Sequence, residues 1–283
     1  MAFLSLAAFR RLAALIFLCA MALASHAETR PLKLGIMPFN SPLALIKTHE
    51  PLTRHLEQAL GRKVQVHTAT DYFTHINQLL AGDFDIAITG PHFGIMAAER
   101  GMQILYRYDT DLQPLFVVRQ NAPIETLDDL RGKNLALSSR LSISSIGGIK
   151  WLQDHGLLLN RDYRFTEFSS HGAAIAAVVN GTADAALTTH TPLRQVPADI
   201  QAKTRLLSSE IRTPHVMTLA NKHLGKGTIE QIRTALAEFQ QTPAGEKFFR
   251  ETGYHGYIDV SPADLQQMRP FIELTTAVMR QAQ

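Results

Sequence analysis

The chain has 283 residues, of which 46% are hydrophobic and 19% charged, enough for one large or two modest domains with their own cores. Its 28 basic and 25 acidic residues nearly balance and form no cluster of Lys and Arg, which argues against binding to nucleic acid or to a membrane surface. Cysteine occurs once, at Cys19, so the sequence excludes a fold held together by disulfides within the chain.

The N-terminus has the pattern of a secretory signal peptide. Two arginines precede an apolar run of about 13 residues, whereas a membrane span needs about 20. Ser25-His26-Ala27 then supplies the small residues that a signal peptidase recognises. We predict a signal peptide over residues 1–27, cleaved after Ala27 or alternatively after Ala24, and a mature protein in the periplasm. Its removal takes away Cys19 and two basic residues, which leaves the mature chain close to neutral.

The remaining chain alternates between strand and helix patterns, as in an α/β protein. Strands are predicted at residues 31–39, 64–69, 84–88, 104–108, 115–118, 134–137, 163–168, 205–207 and 216–220, with a helix, a turn and a further strand within residues 169–190. Helices are predicted at residues 43–60, 149–155, 229–241 and 263–281, as well as before Gly82 and after Pro91. A polar segment at residues 120–131 indicates a change of structural unit near Arg119.

Residues 71–101 form the most complete unit of this pattern. A helix with one apolar face ends at Gly82, a short buried strand follows, and Thr89-Gly90-Pro91-His92 opens a second helix. Ligands of open α/β sheets bind beyond the carboxyl ends of the strands. Thr89, Gly90 and His92 are therefore candidate ligand-binding residues.

An internal repeat links this unit to a second one. LLAGDFDIAIT (residues 79–89) matches VVNGTADAALT (residues 178–188) in register, with Gly, Asp, Ala and Thr at corresponding positions. The repeat falls once on each side of the boundary near Arg119. It predicts two similar α/β lobes that hold a small molecule in the cleft between them. Thr189 and His190 follow the second strand as counterparts of the first corner, and they are candidates too.

Polar groups stand at three predicted helix starts. Residues 138–148 (SSRLSISSIGG) combine hydroxyls and glycines, and Ser170-His171-Gly172 and Thr89-Gly90-Pro91-His92 repeat the arrangement. Free N–H groups and the helix dipole at such starts favour an anion, to which hydroxyls add neutral donors. An ordinary N-cap is the alternative for any one of them, but three together favour an oxyanion site. The candidates from these segments are Ser142, Ser144, Ser145, Gly147 and His171.

His92, His171, His190 and His215 are all expected in loops at strand or helix ends. Such histidines can ligate a metal or, when protonated, help to hold an anion. Their spacing matches no compact metal motif, so we predict neither a metal site nor any other cofactor. A His-dependent binder of a metal or metal chelate stays as an alternative.

The sequence lacks the common catalytic motifs. It contains no Gly-x-Ser-x-Gly elbow, no His-Glu-x-x-His and no phosphate loop that ends in Gly-Lys-Ser or Gly-Lys-Thr. Asp85 and Asp184 belong to the starts of matching strands rather than to a working pair of acids. We therefore predict a binding protein and no enzyme.

Over almost the whole mature chain, the sequence resembles the periplasmic phosphate/phosphite/phosphonate-binding proteins of ABC importers. The resemblance rests most on Asp71-Tyr72, on Gly82-x-x-Asp85-Ile86-Ala87 with Gly90-Pro91, and on Ser170-His171 before Asn180-Gly181-x-x-Asp184. It implies a type II periplasmic binding protein, with two α/β lobes, a central cleft and two hinge crossings near residues 116–119 and 207–213. Lobe one is then predicted at residues 28–116 and 212–283, and lobe two at residues 117–211.

The resemblance also implies ligand contacts at Tyr72, at residues 90–92, within residues 142–147 and at His171. The implied protein is a monomeric solute receptor that passes a small anion to an inner-membrane ABC permease, with no nucleic acid as partner. A receptor that docks onto a membrane histidine kinase is the alternative. The family's Asp-Pro before the serine loop is replaced by Ser139-Arg140-Leu141, so the anion stays open among phosphonate, phosphate, phosphite and other oxyanions.

Overall fold

The computed structural model describes residues 30–281, and the predicted signal peptide lies outside the described residues. Within that range, no helix combines the length and the apolar character that crossing a membrane requires. The strands are β1 Leu32–Ile36, β2 Val64–His67, β3 Ile86–Thr89, β4 Met102–Tyr108, β5 Asp111–Leu112, β6 Leu115–Arg119, β7 Asn134–Leu137, β8 Arg164–Glu167, β9 Ala185–Thr188, β10 Thr204–Ser208, β11 Thr213–Pro214, β12 Met217–Asn221 and β13 Tyr257–Ile258. The helices are α1 Pro42–Leu60, α2 Tyr72–Ala81, α3 Pro91–Ala98, α4 Ile143–Asp154, α5 His171–Val179, α6 His190–Gln195, α7 Ala198–Gln201, α8 Gly225–Phe239, α9 Pro243–Thr252 and α10 Pro262–Gln281.

The first sheet has the strand order β13-β4-β12-β3-β1-β2. Strands β2, β1 and β3 are parallel, whereas β12 enters antiparallel between β3 and β4. Parallel strands are stable only when both faces are covered, which is why β3 is buried throughout. Helices α1 and α2 contribute buried leucines such as Leu52, Leu56 and Leu79 to the core around this sheet.

The second sheet has the order β10-β6-β9-β7-β8 and repeats this plan. Strands β8, β7 and β9 are parallel, and β6 enters antiparallel beside β9. We call residues 32–108 and 215–258 the first half and residues 115–208 the second half. Helix α10 packs against α3 of the first half and α4 of the second.

The internal repeat of the sequence covers the end of α2 with β3 and the end of α5 with β9. Around it, the element order β1-α1-β2-α2-β3-α3 recurs as β7-α4-β8-α5-β9-α6. The two aspartates of the repeat make equivalent hydrogen bonds. Asp85 accepts one from the Lys33 N–H at 2.8 Å, and Asp184 accepts one from the Asn134 N–H at 2.9 Å. Each carboxylate therefore fixes the first residues of the neighbouring parallel strand. Their place in the repeat is explained by sheet architecture.

The chain passes between the sheets at residues 109–114 and 209–216, where β5 and β11 pair as a two-stranded ribbon. The segment 116–119, predicted as a crossing, instead lies within β6. Phe116, Val117 and Val118 are fully buried and pair with both β9 and β10, so this segment belongs to the interior of the second sheet.

Between the two predicted C-terminal helices, the structure contains a third one, α9. The Thr242 hydroxyl caps its start by accepting a hydrogen bond from the Gly245 N–H, Pro243 occupies its first turn, and Gly253 ends it with a positive φ of 80°. Aromatic side chains pack between α9 and the first sheet, and Tyr108 stacks on Tyr254 with ring centroids 4.0 Å apart. Tyr254 and Tyr257, which follow α9, are thus part of the core.

Candidate functional site

A small cavity lies between the two halves at the ends of the parallel strands. Its volume is about 30 Å³, on a scale where one water molecule takes about 10–15 Å³. The first half lines it with Met37, Phe39, Tyr72, His215, Val216 and Tyr254, the second half with Ser142, Ile143, Ser144, His171, Thr189, Thr191 and Pro192, and the ribbon with Leu112. We call it the first cavity. It has room only for a ligand of a few atoms.

The start of α4 forms the polar end of this cavity. The Ser142 hydroxyl is the N-cap, since it accepts a hydrogen bond from the Ser145 N–H at 3.1 Å, and it lies 3.0 Å from the Ser139 carbonyl. The N–H groups of Ile143 and Ser144, which come first in the helix, have no acceptor within it. They are free to bind an anion, and the helix dipole supports them.

Ser145 and Gly147 lie behind this wall and do not line the cavity. The Ser145 hydroxyl is 2.7 Å from that of Ser142 and helps to hold the cap. A Cβ atom at Gly147 would lie 3.1 Å from Pro114, so this glycine allows α4 to approach the connection between the halves.

A hydrogen-bonded cluster of three side chains joins the halves at the first cavity. His171 Nε2 lies 3.1 Å from the Ser138 hydroxyl and 3.4 Å from the hydroxyl of Tyr72, which comes from the other half. Burial lowers the pKa of His171 to about 4, although the Leu187 carbonyl partly opposes this effect. Burial also raises the pKa of Tyr72. All three groups are therefore neutral near pH 7.

The corner at the end of β3 supports the site from behind. The Thr89 hydroxyl is 3.0 Å from His75 Nε2, and Gly90 is the N-cap of α3. His92 Nε2 lies 2.9 Å from the Leu141 carbonyl of the second half, so it donates a hydrogen bond across the interface. Burial lowers the pKa of His92 to about 4, and the Leu141 carbonyl acts in the opposite direction. None of the three candidates at this corner lines the first cavity.

A second cavity of about 180 Å³ adjoins the first and shares Leu112, Thr189, Thr191 and His215 with it. Its other lining residues are Thr110, Asp111, Gln113, His190, Arg194, Gly253 and His255. Thr189, the N-cap of α6, thus faces both cavities. His190 is exposed, and its Nε2 lies 3.4 Å from the Gln113 side-chain oxygen. The two candidates after β9 are therefore separated, with His190 at the second cavity only.

His215 is a lining residue that the sequence did not single out as a ligand contact. Its Nδ1 accepts a hydrogen bond from the Val216 N–H at 2.8 Å, and the ring packs edge-on against Tyr254 with centroids 4.8 Å apart. Burial and the nearby charge of Arg107 lower its pKa to about 3. The histidine pattern alone could not distinguish it, because its position depends on packing against Tyr108 of β4 and Tyr254, which are distant in the sequence.

The first cavity offers polar groups on a largely apolar lining, and these groups carry no charge. Among the residues of the described range that line it, none is Asp, Glu, Lys or Arg. Its two histidines are neutral near pH 7 because both are buried. An anion here would be held by neutral donors and helix N-termini.

The histidines proposed above as alternative metal ligands lie in three different environments. His92 contacts the Leu141 carbonyl, His171 contacts Ser138 and Tyr72, and His190 lies near Gln113. Over residues 30–281, no three side chains of His, Cys, Asp or Glu form a group that could hold a metal ion.

Comparison with known proteins identifies the family to which the sequence is similar. Residues 34–265 match the family model described as the periplasmic substrate-binding protein of phosphonate ABC transporters. The phosphate-import protein PhnD of Mycolicibacterium smegmatis is 22% identical over 86% of this chain and 85% of its own length.

Solved structures show the same fold. PhnD1 from Prochlorococcus marinus in complex with methylphosphonate superposes with a TM-score of 0.75 at 16% identity, over 88% of this chain and 98% of that one. A binding-protein component of an ABC phosphonate transporter from Pseudomonas aeruginosa gives a TM-score of 0.74 at 16% identity, over 89% of both chains. The predicted type II periplasmic binding protein fold is confirmed.

Proposed function

The chain belongs to the family of periplasmic substrate-binding proteins of phosphonate ABC transporters, and from that premise we propose that it binds a small alkylphosphonate in the first cavity. A small-molecule ligand and a membrane permease are the partners that this family implies. We further propose that the chain carries out no catalysis, acts as a monomer, and reaches the periplasm after cleavage of the signal peptide near Ala27.

The observation that carries this proposal is the contrast between the two walls of the first cavity. The wall from the second half offers free N–H groups of α4 and hydroxyls of serine and threonine, which suit the three oxygens of a phosphonate. The opposite wall places the apolar side chains of Met37, Phe39 and Val216 beside Tyr72, His215 and Tyr254, and these apolar side chains suit an alkyl group. The volume of about 30 Å³ supports a methyl or similarly small substituent rather than a bulky one.

The candidate residues divide into two roles in this proposal. Contact with the ligand is assigned to the lining residues Tyr72, Ser142, Ser144, His171 and Thr189. Support of the walls is assigned to Thr89, Gly90, His92, Ser145 and Gly147, and His190 borders the second cavity only. The lobes predicted at residues 28–116 with 212–283 and at residues 117–211 would close on the ligand about the β5–β11 ribbon, with residues 115–116 assigned to the second lobe because they belong to β6. The contacts of Tyr72 with His171 and of His92 with Leu141 would then belong to the closed state.

Calorimetric titration with methylphosphonate, phosphate and phosphite tests the proposal. We expect methylphosphonate to bind and to raise the melting temperature, because a ligand of the native state stabilises it. Ser144→Ala should weaken binding severalfold through loss of a hydroxyl donor at the start of α4. Ser208→Ala, at an exposed serine on β10, is the matched control and should bind as the natural chain does. Absence of heat and of a thermal shift with all three anions would contradict the proposal.

A delivery role requires a separate measurement. A receptor that signals through a membrane histidine kinase would have the same fold. The ligand cavity therefore does not distinguish delivery to a permease from signalling to a kinase. Capture of a permease from the membrane by the ligand-loaded protein supports import, whereas capture of a kinase alone would contradict it.

A further inference from the structure

The second cavity differs from the first in both exposure and charge. Four exposed side chains from the two halves and the ribbon line it: Asp111, His190, Arg194 and His255. The described residues that line the first cavity are all buried instead, and none of them is charged near pH 7. Because the two cavities share lining residues, an anion that comes from solvent on this side meets the second cavity before it reaches the first.

Arg194 supplies the positive charge of the second cavity. A Cβ atom at Gly253 would lie 2.8 Å from Arg194 Nη1, so the guanidinium of this second-half residue reaches across to the first half. Its backbone carbonyl accepts a hydrogen bond from Gln201, whereas the guanidinium has no hydrogen-bond acceptor among the described residues. Asp111, the carboxylate of the same lining, forms no ion pair with it there. The guanidinium is therefore free to attract an anion.

The surroundings of His190 indicate the sign of the electric field at the second cavity. Burial lowers the pKa of His190 most, the positive charges of Arg194 and Arg212 lower it further, and no carboxylate raises it. Arg212 does not line the cavity, and it donates to the carbonyls of Ser209 and Ile211 at 3.2 Å each. The field is thus positive, and Arg194 is the charge that an incoming anion can approach.

We propose that the second cavity is an electrostatic vestibule, in which Arg194 captures the anionic ligand before it enters the uncharged first cavity. This inference rests on the proposed function and adds the residue that governs the rate of association. A charged residue inside the first cavity would lose its hydration, whereas the exposed guanidinium keeps it and still acts over about 10 Å at about 0.1 M salt. Opposite charge accelerates the encounter, and the neutral donors of the first cavity then hold the ligand.

Stopped-flow mixing with methylphosphonate tests the proposal, at about pH 8, where exposed histidines are neutral. Intrinsic fluorescence follows binding, because Tyr72 and Tyr254 line the first cavity. At about 10 mM ionic strength, Arg194→Gln should lower the association rate constant about three- to fivefold and leave the dissociation rate constant unchanged. At about 0.5 M, the variant and the natural chain should associate at rates within about 1.5-fold of each other, because the Debye length falls to about 4 Å.

Two matched variants separate capture at the second cavity from a general effect of net charge. Arg164→Gln removes an exposed arginine at the start of β8, whereas the cavities lie beyond the carboxyl ends of the parallel strands. This variant should associate as fast as the natural chain. Asp111→Asn removes the carboxylate from the lining of the second cavity and should raise the association rate constant about two- to fourfold at low ionic strength.

Several outcomes would overturn the inference. These are an unchanged association rate constant in Arg194→Gln at low ionic strength, an equal loss in Arg164→Gln, slower association in Asp111→Asn, or a loss that persists at high salt. Faster dissociation alone in Arg194→Gln would also contradict it, because Arg194 would then hold the bound ligand rather than capture it. Failure of methylphosphonate to bind to the natural chain at either ionic strength would instead refute the proposed function.

Discussion

The two halves repeat one βαβαβα unit, but the start of its first helix is exposed in one half and buried at the first cavity in the other. In the first half this helix is α1, whose cap Ser41 is exposed and is followed by Leu43, 76% exposed. In the second half it is α4, whose cap Ser142 is 2% exposed and lines the first cavity. In both caps the serine hydroxyl accepts a hydrogen bond from the N–H three residues later. The repeat therefore preserves the scaffold, and function arises where equivalent helix starts meet different surroundings.

The largest expected difference between the two halves is their loss of stability in acid. The first half buries four histidines and the second half one, in the part of the chain that the structure describes: His49, His75, His92 and His215 against His171. Burial holds the pKa of each at about 3 or 4, below the unfolded value of 6.5. The unfolded chain thus binds more protons, so this contribution is fully present above about pH 6.5 and is lost as the pH falls toward about 4. At about pH 4, the lowered pKa of each histidine should have reduced the free energy of unfolding by about 3 kcal/mol.

Two optical probes can follow this difference. Trp151 is the only tryptophan and lies in the second half, whereas Tyr108 and Tyr254 stack in the first. We expect the tyrosine signal in near-UV circular dichroism to disappear at a higher pH than the change in Trp151 fluorescence. His75→Gln, which removes one acid-sensitive group from the first half, should bring the two transitions closer. The opposite order of transitions would contradict this account.

Substitution of the two equivalent aspartates should have the next largest effect, which is on the free energy of unfolding. Asp85 is 1% exposed and also contacts His223 at 2.8 Å, whereas Asp184 is half-buried. Asp85→Ala removes a buried carboxylate that accepts from the Lys33 N–H and should lower the free energy of unfolding by about 2–3 kcal/mol. Asp184→Ala should cost about 1–2 kcal/mol. Urea denaturation of both variants measures the difference, and an equal or reversed order would show that the two positions are not supported as the contacts indicate.

The equivalent caps provide a sharper comparison of function. Ser142→Ala and Ser41→Ala each remove a helix cap and should each cost about 1 kcal/mol of stability. Only Ser142→Ala should weaken methylphosphonate binding, by about tenfold, because only that cap holds the free N–H groups at the cavity. Titration calorimetry on both variants is the test. Loss of binding in Ser41→Ala would mean that α1 acts on the site from a distance.

Substitution of an apolar residue that lines the first cavity should have the smallest effect, which is on ligand affinity. Val216→Ala removes two methyl groups from the first-half side of the cavity and should reduce methylphosphonate affinity about threefold through lost contacts. The same change should favour ethylphosphonate relative to methylphosphonate, because the added space lies where we place the alkyl group. Competition between the two ligands measures this shift. A shift toward methylphosphonate would place the alkyl group elsewhere.

The sequence by itself determined much of the scaffold. The alternation of apolar residues predicted the parallel strands, and Gly82 with Gly181 marked turns that have positive φ in the structure. These features are local, since the backbone conformation of a glycine turn or a buried strand depends mainly on nearby residues. The α/β class could be predicted for that reason, whereas the family was predicted from the resemblance of particular motifs to known proteins. Helix α9 was not predicted, although its start and end also carry local signals, Thr242-Pro243 and Gly253.

Only the tertiary structure decided which polar groups reach the cavity. His92 and Leu141 are 49 residues apart and meet across the interface, so a histidine at a promising corner serves as a link between the halves. His215, one of four similar loop histidines in the sequence, lines the cavity where its ring packs against Tyr108 and Tyr254. Ser41 and Ser142 begin equivalent helices, but only the second is buried against the other half. Local sequence sets the conformation of a segment, whereas the direction and surroundings of a side chain come from contacts between distant segments.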